Sequence, residues 1–491
     1  MNWLELLPHC EQQSLVISHY NNQQITLSKA SWQAEANKLA EVFTKLSGQS
    51  VAFQVDNTPP WLILDSLLSE LEKVAIPLPV FFTPQQVQHS LTSSGATIFI
   101  SDRQYTAENA QLVATVSVCQ CFVLFFYQLT VQTSVEYFAH TNKITFTSGS
   151  TGSPKGVCLS LASQLQVATS LHQQIGIDKP KHLCLLPLPV LLENIAGVYA
   201  PLLAAGSVHL MALNELGFQG SQLAQPAQLI AAIDKVAPNT LILVPELLSC
   251  LVQFAKQGWQ PPASLKFIAV GGAVVSSQLI AQARQLGLPV YQGYGLSEAA
   301  SVVSLNTPND DLFSCAGRVL PHLETTIRDG QLFIKGPLFL GYLGQAAQQP
   351  QQWYATGDLV VEQQGRLTIQ GRLKNQLITS FGRNISAEWP ESLLLSHSAV
   401  LQAVVVGEGR PYLSALIYAT EQLSTEQLHA HVTAINQQLP DYAQIKHWHR
   451  LVEPLTYQSG LLTNNNRAKR DAINHFYRQQ IAALYPCEEV L

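Results

Sequence analysis

A run of ten residues rich in hydroxyls and glycines, with a single lysine, most restricts how this chain can fold. It follows the strand-like stretch 144–146 and reads Thr147-Ser148-Gly149-Ser150-Thr151-Gly152-Ser153-Pro154-Lys155-Gly156. Glycines let backbone amides approach a phosphate, hydroxyls donate hydrogen bonds, and the lysine adds a positive charge. Pro154 and Gly156 flank that lysine, whereas a Walker A loop has Gly before it and Ser or Thr after it. The run therefore predicts a polyphosphate-binding loop of another type at the end of a strand.

Short apolar runs alternate with helix-like stretches along most of the chain, which predicts parallel sheets in a layered α/β architecture. The clearest runs lie at 51–53, 96–100, 241–244 and 267–270. Glycine-punctuated strands at 331–334 and 367–369 predict a small antiparallel unit. From about Asn375, two runs at 403–407 and 412–417 predict a hairpin, and helix-like stretches at 387–396 and 424–438 flank it. The end of the chain therefore predicts a compact α+β domain.

Composition narrows the class of protein. A chain of 491 residues is too long for one compact domain, and 47% hydrophobic with 12% charged residues supports a large buried core. The net charge of −6 and the absence of a basic stripe exclude a nucleic-acid partner. No transmembrane segment or signal peptide is evident, and a mean hydropathy of +0.12 allows weak membrane association. The eight cysteines lack metal-like spacing, so we predict a cytoplasmic protein.

Five further motifs follow the loop in a fixed order. They are Gly271-Gly272-Ala273, Gly293-Tyr294-Gly295-Leu296-Ser297-Glu298, Tyr354-Ala355-Thr356-Gly357-Asp358-Leu359, Gly371-Arg372-Leu373-Lys374 and Phe381-Gly382-Arg383-Asn384-Ile385. Together with the loop they resemble the adenylate-forming (AMP-binding) enzyme superfamily, which includes acyl-CoA synthetases, luciferases and peptide-synthetase adenylation domains. The resemblance covers nearly the whole chain and is to an acyl-CoA synthetase or fatty acid ligase-like member.

The resemblance implies two domains. An N-terminal AMP-binding domain, residues 1–373, would hold two layered α/β subdomains and a small β-barrel. A smaller, mobile α+β domain would follow at 374–491, with a hinge near Lys374. Related enzymes rotate the small domain there, from an adenylating to a thioester-forming arrangement.

The resemblance also implies roles for the motif residues, with ATP and Mg²⁺ as cofactors. The loop residues Thr147, Ser148, Gly149, Ser150, Thr151, Gly152 and Lys155 would hold the β- and γ-phosphates. Tyr294 would offer an aromatic face to adenine, with Gly295 next to it in the nucleotide site. Ser297 would lie near the α-phosphate, and Glu298 would bind magnesium. These residues on their own are also typical of a Gly-Tyr-Gly turn in which Ser297 caps a helix.

Further roles concern the ribose and the second half-reaction. Asp358 would bind the ribose hydroxyls, although a turn-forming Asp after Gly is also typical at such a place. Arg372 would be the basic partner of the ribose–phosphate region, and Gly271, Gly272 and Ala273 would line the adenine and acyl pockets. Gly382 would line a channel for a pantetheine arm, either of coenzyme A or of an acyl carrier protein.

The chain departs from the family pattern in its tail. The family places a lysine four residues after a threonine, where it reaches the substrate carboxylate and the α-phosphate. Counting from Thr463 gives Arg467, with Lys469 two residues on. Arginine keeps the charge but changes the donor geometry. Three readings stay open: Arg467 is catalytic, Lys469 reaches in, or adenylation is impaired and the chain is a nucleotide-binding pseudoenzyme.

A second departure concerns the acyl pocket. Many relatives have a histidine at the place of Val190, and here the wall formed by Val190 and Leu191, with Gly272 beside it, is apolar. It lacks the acidic residue that pairs an amino acid's α-amino group, so a fatty or aryl acid is favoured. We predict an ATP-dependent acid–thiol ligase of fatty acid metabolism that forms acyl-AMP and passes the acyl group to coenzyme A. The alternative acceptor is an acyl carrier protein.

An α/β-hydrolase is the competing enzyme class. Its Gly-x-Ser-x-Gly elbow has one near match, Gly295-Leu296-Ser297-Glu298-Ala299, which ends in alanine instead of glycine. The pattern therefore disfavours a hydrolase.

Overall fold

The computed structural model describes residues 3–21, 23–130, 135–147, 155–273, 275–381, 383–397, 399–463 and 467–486. Helices begin where the sequence supplies a cap or a proline. Ser160 and Ser276 accept hydrogen bonds from backbone amides in the first turns of their helices, and proline opens several others. Within the described residues, every helix falls short of the length and apolar character that crossing a bilayer requires.

The α-helices differ in length from four to fifteen residues. In chain order they are α1 (Lys29–Phe43), α2 (Pro59–Glu70), α3 (Pro84–Ser94), α4 (Leu161–Ile175), α5 (Ala200–Leu203), α6 (Pro226–Val236), α7 (Pro245–Lys256), α8 (Ser277–Gln285), α9 (Glu388–Leu394), α10 (Thr425–Asn436), α11 (Arg470–Phe476) and α12 (Arg478–Ala483). A π-helix, Leu192–Tyr199, runs directly into α5. Short 3-10 helices lie at Trp3–Leu6, Ser297–Ala299, Leu373–Asn375 and Asp441–Ala443.

The strands of the first half are β1 (Ser14–Tyr20), β2 (Gln23–Ser28), β3 (Ser50–Gln54), β4 (Val74–Pro77), β5 (Ile98–Ser101), β6 (Ala110–Val118), β7 (Phe122–Leu129), β8 (Lys143–Thr147), β9 (Lys155–Leu159), β10 (Lys181–Leu183), β11 (Ser207–Met211), β12 (Phe218–Gln219), β13 (Gln222–Leu223) and β14 (Thr240–Leu243). Those of the second half are β15 (Phe267–Val270), β16 (Val290–Leu296), β17 (Ser301–Leu305), β18 (Arg318–Val319), β19 (Glu324–Arg328), β20 (Gln331–Lys335), β21 (Gly341–Tyr342), β22 (Tyr354–Gln363), β23 (Arg366–Arg372), β24 (Gln376–Ile378), β25 (Asn384–Ser386), β26 (Val400–Val406), β27 (Leu413–Ala419) and β28 (Ile445–Arg450).

Two sheets dominate the fold. The large sheet has the order β19-β20-β22-β23-β18-β17-β16-β15-β14-β10-β11-β1-β2, and the second sheet β21-β9-β8-β4-β3-β5-β7-β6. Strands β11, β10, β14, β15 and β16 pair in parallel, as do β5, β3 and β4. Neighbouring parallel strands are connected through helices, so the predicted layered α/β class is confirmed.

The predicted antiparallel unit continues the large sheet instead of forming a sheet of its own. Strand β16 pairs in parallel with β15 on one side and antiparallel with β17 on the other. From β17 to β19 every pairing is antiparallel. The glycine-rich stretch of the sequence therefore corresponds to the part of the large sheet in which strand pairing is antiparallel.

The end of the chain has its own hydrophobic core. The predicted hairpin forms as β26 and β27, and β28 adds to β27 in parallel. Helices α9 and α10 pack on this three-stranded sheet through Leu394, Leu428 and Val432. This agrees with the α+β arrangement expected for the C-terminal part.

A fully buried ion pair ties the second sheet to the π-helix. Lys143 Nζ on β8 lies 2.8 Å from Asp65 Oδ1 on α2, and it donates to Asn194 Oδ1 at 2.6 Å. The Tyr199 hydroxyl donates to Asp65 Oδ2 at 2.5 Å. Burial lowers the pKa of Lys143, and the Asp65 carboxylate opposes that shift. The π-helix is thus held at both ends of its polar face by groups with no access to water.

We expect Asp65→Asn to lower the free energy of the first unfolding transition by about 3–5 kcal/mol, because it leaves the Lys143 ammonium buried without its anion. Glu324→Gln is the matched control, since its ion pair with Lys335 is 2.9 Å long but Glu324 is 66% exposed. That control should cost less than about 1 kcal/mol. Urea unfolding measures both, and equal losses would contradict a structural role for the buried pair.

Candidate active site

A cavity of about 890 Å³ opens at the carboxyl ends of the parallel strands β14, β15 and β16. Ligands of open α/β sheets bind at this edge, because the loops that follow the strands converge there. Its charged lining consists of Lys155, Arg372, Lys374 and Arg467, against Glu246 and Glu298. Four cations against two carboxylates leave this end of the cavity net positive, which suits a polyphosphate.

Glu298 lies within a cluster of hydroxyl groups. Its Oε1 accepts a hydrogen bond from Tyr342 Oη at 2.6 Å, and Tyr354 Oη lies 3.0 Å from Tyr342 Oη. The Lys155 ammonium lies 5.1 Å from the centre of the Tyr342 ring. Burial, and next the Glu298 carboxylate, raise the pKa of Tyr354 to about 12. The cluster therefore presents a carboxylate and an ammonium on the same side of the cavity.

Asp358 takes part in a second cluster. Tyr294 Oη donates to Asp358 Oδ2 at 2.5 Å, and Arg372 Nε lies 3.0 Å from Asp358 Oδ1. Asp358 is 3% exposed, and Tyr294 and Arg372 rather than Asp358 line the cavity. Each oxygen of the Asp358 carboxylate therefore has one protein partner, which fixes the carboxylate beside the cavity.

Arg467 reaches into the cavity from the C-terminal part of the chain. Its Nη2 donates to the Gly272 carbonyl at 2.8 Å, and Lys374 lines the cavity too. Partial burial and the guanidinium groups of Arg372 and Arg467 lower the pKa of Lys374, while Glu388 and Asp358 raise it. The tail of the chain thus adds positive charge beside the Gly271–Gly272 turn.

Most of the residues predicted from motifs meet in this one cavity. The lining includes Lys155, Val190, Leu191, Gly271, Gly272, Ala273, Tyr294, Gly295, Ser297, Glu298, Arg372, Lys374 and Arg467. Lys469 is not among the lining residues. Ser148, Gly149, Ser150, Thr151, Gly152 and Gly382, together with the side chain of Thr147, lie outside the described part of the structure.

The wall that contains Val190 and Leu191 is fixed by a buried asparagine. Asn57 Nδ2 donates to the Leu186 carbonyl at 2.8 Å, and Asn57 Oδ1 accepts from the Leu188 amide at 2.9 Å. Asn57 is 1% exposed. One side chain therefore satisfies two backbone groups of the segment 186–191, which leaves that segment little freedom.

Glu193 holds the same segment from the other side. Its Oε2 accepts from the Leu186 amide at 2.9 Å, and its Oε1 lies 2.8 Å from His182 Nε2. A Cβ on Gly197 would approach Glu193 Oε1 to 2.2 Å, so the π-helix needs glycine at that position. Asn57 and Glu193 therefore hold the segment 186–191 from two sides.

His182, Cys184 and Glu193 are close enough together to suggest a metal site, and all three are buried. The short contact between His182 and Glu193 is a direct hydrogen bond, and Nδ1 of His182 lies 3.0 Å from Thr240 Oγ1. Because burial, and next the Glu193 carboxylate, raise the pKa of Cys184, its thiol stays protonated. A protonated thiol and an occupied imidazole are poor zinc ligands, so the cluster is a hydrogen-bonded network.

Two contacts at the cavity, those of Tyr342 and Asn57, cannot be predicted from local sequence patterns. Tyr342 reaches Glu298 because β21 pairs with β9, opposing Tyr342 to Val157, two residues from Lys155. The contact of Asn57 with Leu186 spans 129 residues. Strand pairing and wall packing over such separations cannot be read from local patterns.

Comparisons with known proteins support the motif reading. A family model described as AMP-binding enzyme matches residues 9–343, and one described as AMP-binding enzyme C-terminal domain matches 374–489. The 2-succinylbenzoate–CoA ligase of Bacillus velezensis is 27% identical over 87% of this chain and 90% of that protein. The long-chain-fatty-acid–CoA ligase FadD15 of Mycobacterium bovis is 29% identical, over 44% of this chain and 41% of its own length.

Solved structures agree on the fold. O-succinylbenzoate coenzyme A synthetase (MenE) from Bacillus subtilis, in complex with ATP and magnesium ion, aligns with TM-score 0.76 at 21% identity, over 96% of this chain and 98% of that one. The anthranilate CoA ligase AuaEII, in complex with anthranoyl-AMP, aligns with TM-score 0.79 at 15% identity, over 98% of both chains. Since the first family model alone spans more than half of the sequence, the chain belongs to the AMP-binding enzyme family.

Proposed function

We propose that the chain is an AMP-forming acid–thiol ligase that activates a fatty or aryl carboxylic acid with ATP and passes the acyl group to coenzyme A. The observation that carries the proposal is the cavity itself, which joins a cationic end to an apolar wall at the Gly271–Gly272 turn. At such a junction, the apolar body of an acid would lie on the wall and its carboxylate would meet a triphosphate held at the cationic end. The names of the relatives, a long-chain-fatty-acid–CoA ligase and 2-succinylbenzoate–CoA ligases, support the same reaction class.

The reaction has two balanced halves. A carboxylate oxygen of the acid bonds to the α-phosphorus of ATP, and the bond from that phosphorus to the pyrophosphate oxygen breaks. The thiol sulfur then bonds to the acyl carbon as its proton goes to solvent, and the carbon–oxygen bond to AMP breaks. Both steps concentrate negative charge, so fixed cations and good positioning are what the protein must supply.

The residues of the cavity suit these needs. Lys155, the first residue of β9, lines the cavity and would meet the β- and γ-phosphates. Arg467, bonded to the Gly272 carbonyl, would meet the carboxylate and the α-phosphate. The ring of Tyr294 would face adenine, and its bond to Asp358 would fix the ring plane. Arg372, paired with Asp358, would meet the ribose and phosphate region.

Magnesium fits the donors present. Mg²⁺ is commonly bound through one or two carboxylates together with substrate phosphates, and Glu298 supplies one carboxylate in the lining. Tyr342 fixes Oε1 of that carboxylate through its hydroxyl. When bound, the ion would neutralise charge on the leaving pyrophosphate.

A moving C-terminal domain, residues 374–491, would separate the two halves, with Lys374 as the hinge. The residues around the hinge are held by one side chain. Glu388 accepts from the Arg372 amide at 3.2 Å and from Asn375 Nδ2 at 2.6 Å. Rotation at Lys374 would withdraw Arg467 and bring the Gly382 region toward the acyl-adenylate, where it would line the pantetheine channel.

Pyrophosphate release from ATP·Mg tests the proposal, measured with a panel of fatty, aryl and amino acids, with and without coenzyme A. We expect release with fatty or aryl acids and a further increase with coenzyme A. A response to pantetheine on an acyl carrier protein but not to coenzyme A would favour the alternative acceptor. ATP binding without release by any acid would identify a pseudoenzyme and contradict the proposal.

Arg467→Ala should slow acid-dependent pyrophosphate release by roughly 100-fold or more, since a positioned cation at developing charge contributes on that scale. Arg467→Lys should keep most of the rate, because the charge remains. Lys469→Ala is the matched control within the same tail and should stay within about twofold of wild type. Wild-type rates in both alanine variants would refute the assignment of the tail.

Asn57→Leu should raise the KM for the acid about tenfold or more while the KM for ATP changes little. The substitution keeps the side-chain shape but leaves the Leu186 carbonyl and the Leu188 amide unpaired, so the acyl wall loosens. Steady-state kinetics with each substrate varied in turn measures the two constants. Asn309→Leu, at an exposed position, is the control. Equal rises in both constants would mean a general loss of structure instead.

A further inference from the structure

The cavity does not end at the Gly271–Gly272 turn but continues down one face of the large sheet. Strands β14 and β15 pair Thr240 with Phe267 and Ile242 with Ala269. Residues two apart on a strand point to the same face, and all four line the cavity. Ile242 and Ala269 form an upper row below Gly271, and Thr240 and Phe267 form a lower row. His182 on β10 pairs with Thr240 and extends the lower row.

The depth of this extension follows from the strand geometry. Gly271 and Phe267 are four residues apart along the chain. A parallel strand rises about 3.3 Å per residue, so the lower row lies roughly 13 Å below the turn. We call this extension the deep arm, and define it by Leu171, Ile175, Ala200, Ala204, Thr240 and Phe267.

The wall opposite the sheet is made of small side chains. The π-helix and the residues after it present Ala196, Ala200 and Ala204 to the cavity at intervals of four residues. Helix α4 adds Leu171 and Ile175. A methyl group at each helix position leaves space between helix and sheet. Pro180 and Pro201 lie at the far end of the arm, by the amino ends of the strands.

The deep arm carries no charge of its own. The charged lining residues all lie near the carboxyl ends of the strands, and no Lys, Arg, Asp or Glu among the described residues lines the arm. Both ring nitrogens of His182 already have partners, since Nε2 lies 2.8 Å from Glu193 Oε1 and Nδ1 lies 3.0 Å from Thr240 Oγ1. His172 on α4 also lines the cavity, and its buried Nδ1 lacks a hydrogen-bond partner among the described residues. A second carboxylate in the arm would meet this single imidazole and no Lys or Arg, so the cost of burying it would be offset only in part.

We infer that the acid is an unbranched monocarboxylic fatty acid of about ten to fourteen carbons, from decanoate to myristate, whose tail fills the deep arm. An extended chain advances about 3.3–3.6 Å per three bonds, as a polypeptide does, so ~13 Å corresponds to about eleven bonds. A compact aryl acid would reach only the upper row and leave the lower row empty. This inference rests on the proposed function and narrows its substrate to one class.

The wild-type chain tests the inference with a series from hexanoate to stearate, alongside benzoate and 2-succinylbenzoate. Each buried methylene contributes roughly fourfold in affinity, so kcat/KM for acid-dependent pyrophosphate release should rise by up to that factor per carbon and peak between decanoate and myristate. A peak at an aryl acid or at the dicarboxylate would overturn the inference but leave the proposed function standing. Silence with every acid would overturn the proposed function itself.

Ala200→Phe should move the peak to a shorter acid. We expect at least a tenfold loss of kcat/KM with laurate and less than a twofold change with hexanoate, because the ring would block the lower row only. Ala162→Phe, at an exposed position of α4, is the matched control and should change neither. If the phenylalanine variant fails with hexanoate too, Ala204→Leu makes the same test nearer the end of the arm. An unchanged peak in a variant active on hexanoate would overturn the inference.

Discussion

The buried ammonium of Lys143 is the constraint on which the acyl side of the cavity depends. It has no water to bind, so it must keep Asp65 and Asn194, and Tyr199 completes the set through Asp65. Asn194 and Tyr199 lie at the two ends of one π-helix. A π-helix has poorer hydrogen-bond geometry than an α-helix and persists where its surroundings select it. The ion pair supplies that selection from the neighbouring sheet.

Once the π-helix is fixed, the rest of the wall follows. Glu193 sits on its first turn and reaches both His182 and the Leu186 amide. Ala196 and Ala200 on this helix then line the cavity, opposite the large sheet. The buried hydrogen bonds of this helix therefore explain how firmly the wall is held, and its alanines explain the space behind it.

Local patterns predicted the strands and the motif order well, and they failed where contacts are distant. The alternation of apolar runs identified β3, β14 and β15, and the hairpin of β26 and β27. Motif residues after parallel strands meet because carboxyl ends share one edge. The roles of Tyr342 and Asn57 depend on pairing and packing across much of the chain. The hydrogen bond from Tyr294 to Asp358 likewise joins two motifs that are 64 residues apart.

Arg467 in the tail is bonded to the protein as well as lining the cavity. Its guanidinium has several donors in one plane, so a bond to the Gly272 carbonyl leaves others directed elsewhere. Gly272 has a φ of +82°, which places its carbonyl at a turn that few other residues adopt. Arg467 can therefore be held by the protein and still present charge to a carboxylate, which is what positioning in an adenylating arrangement requires.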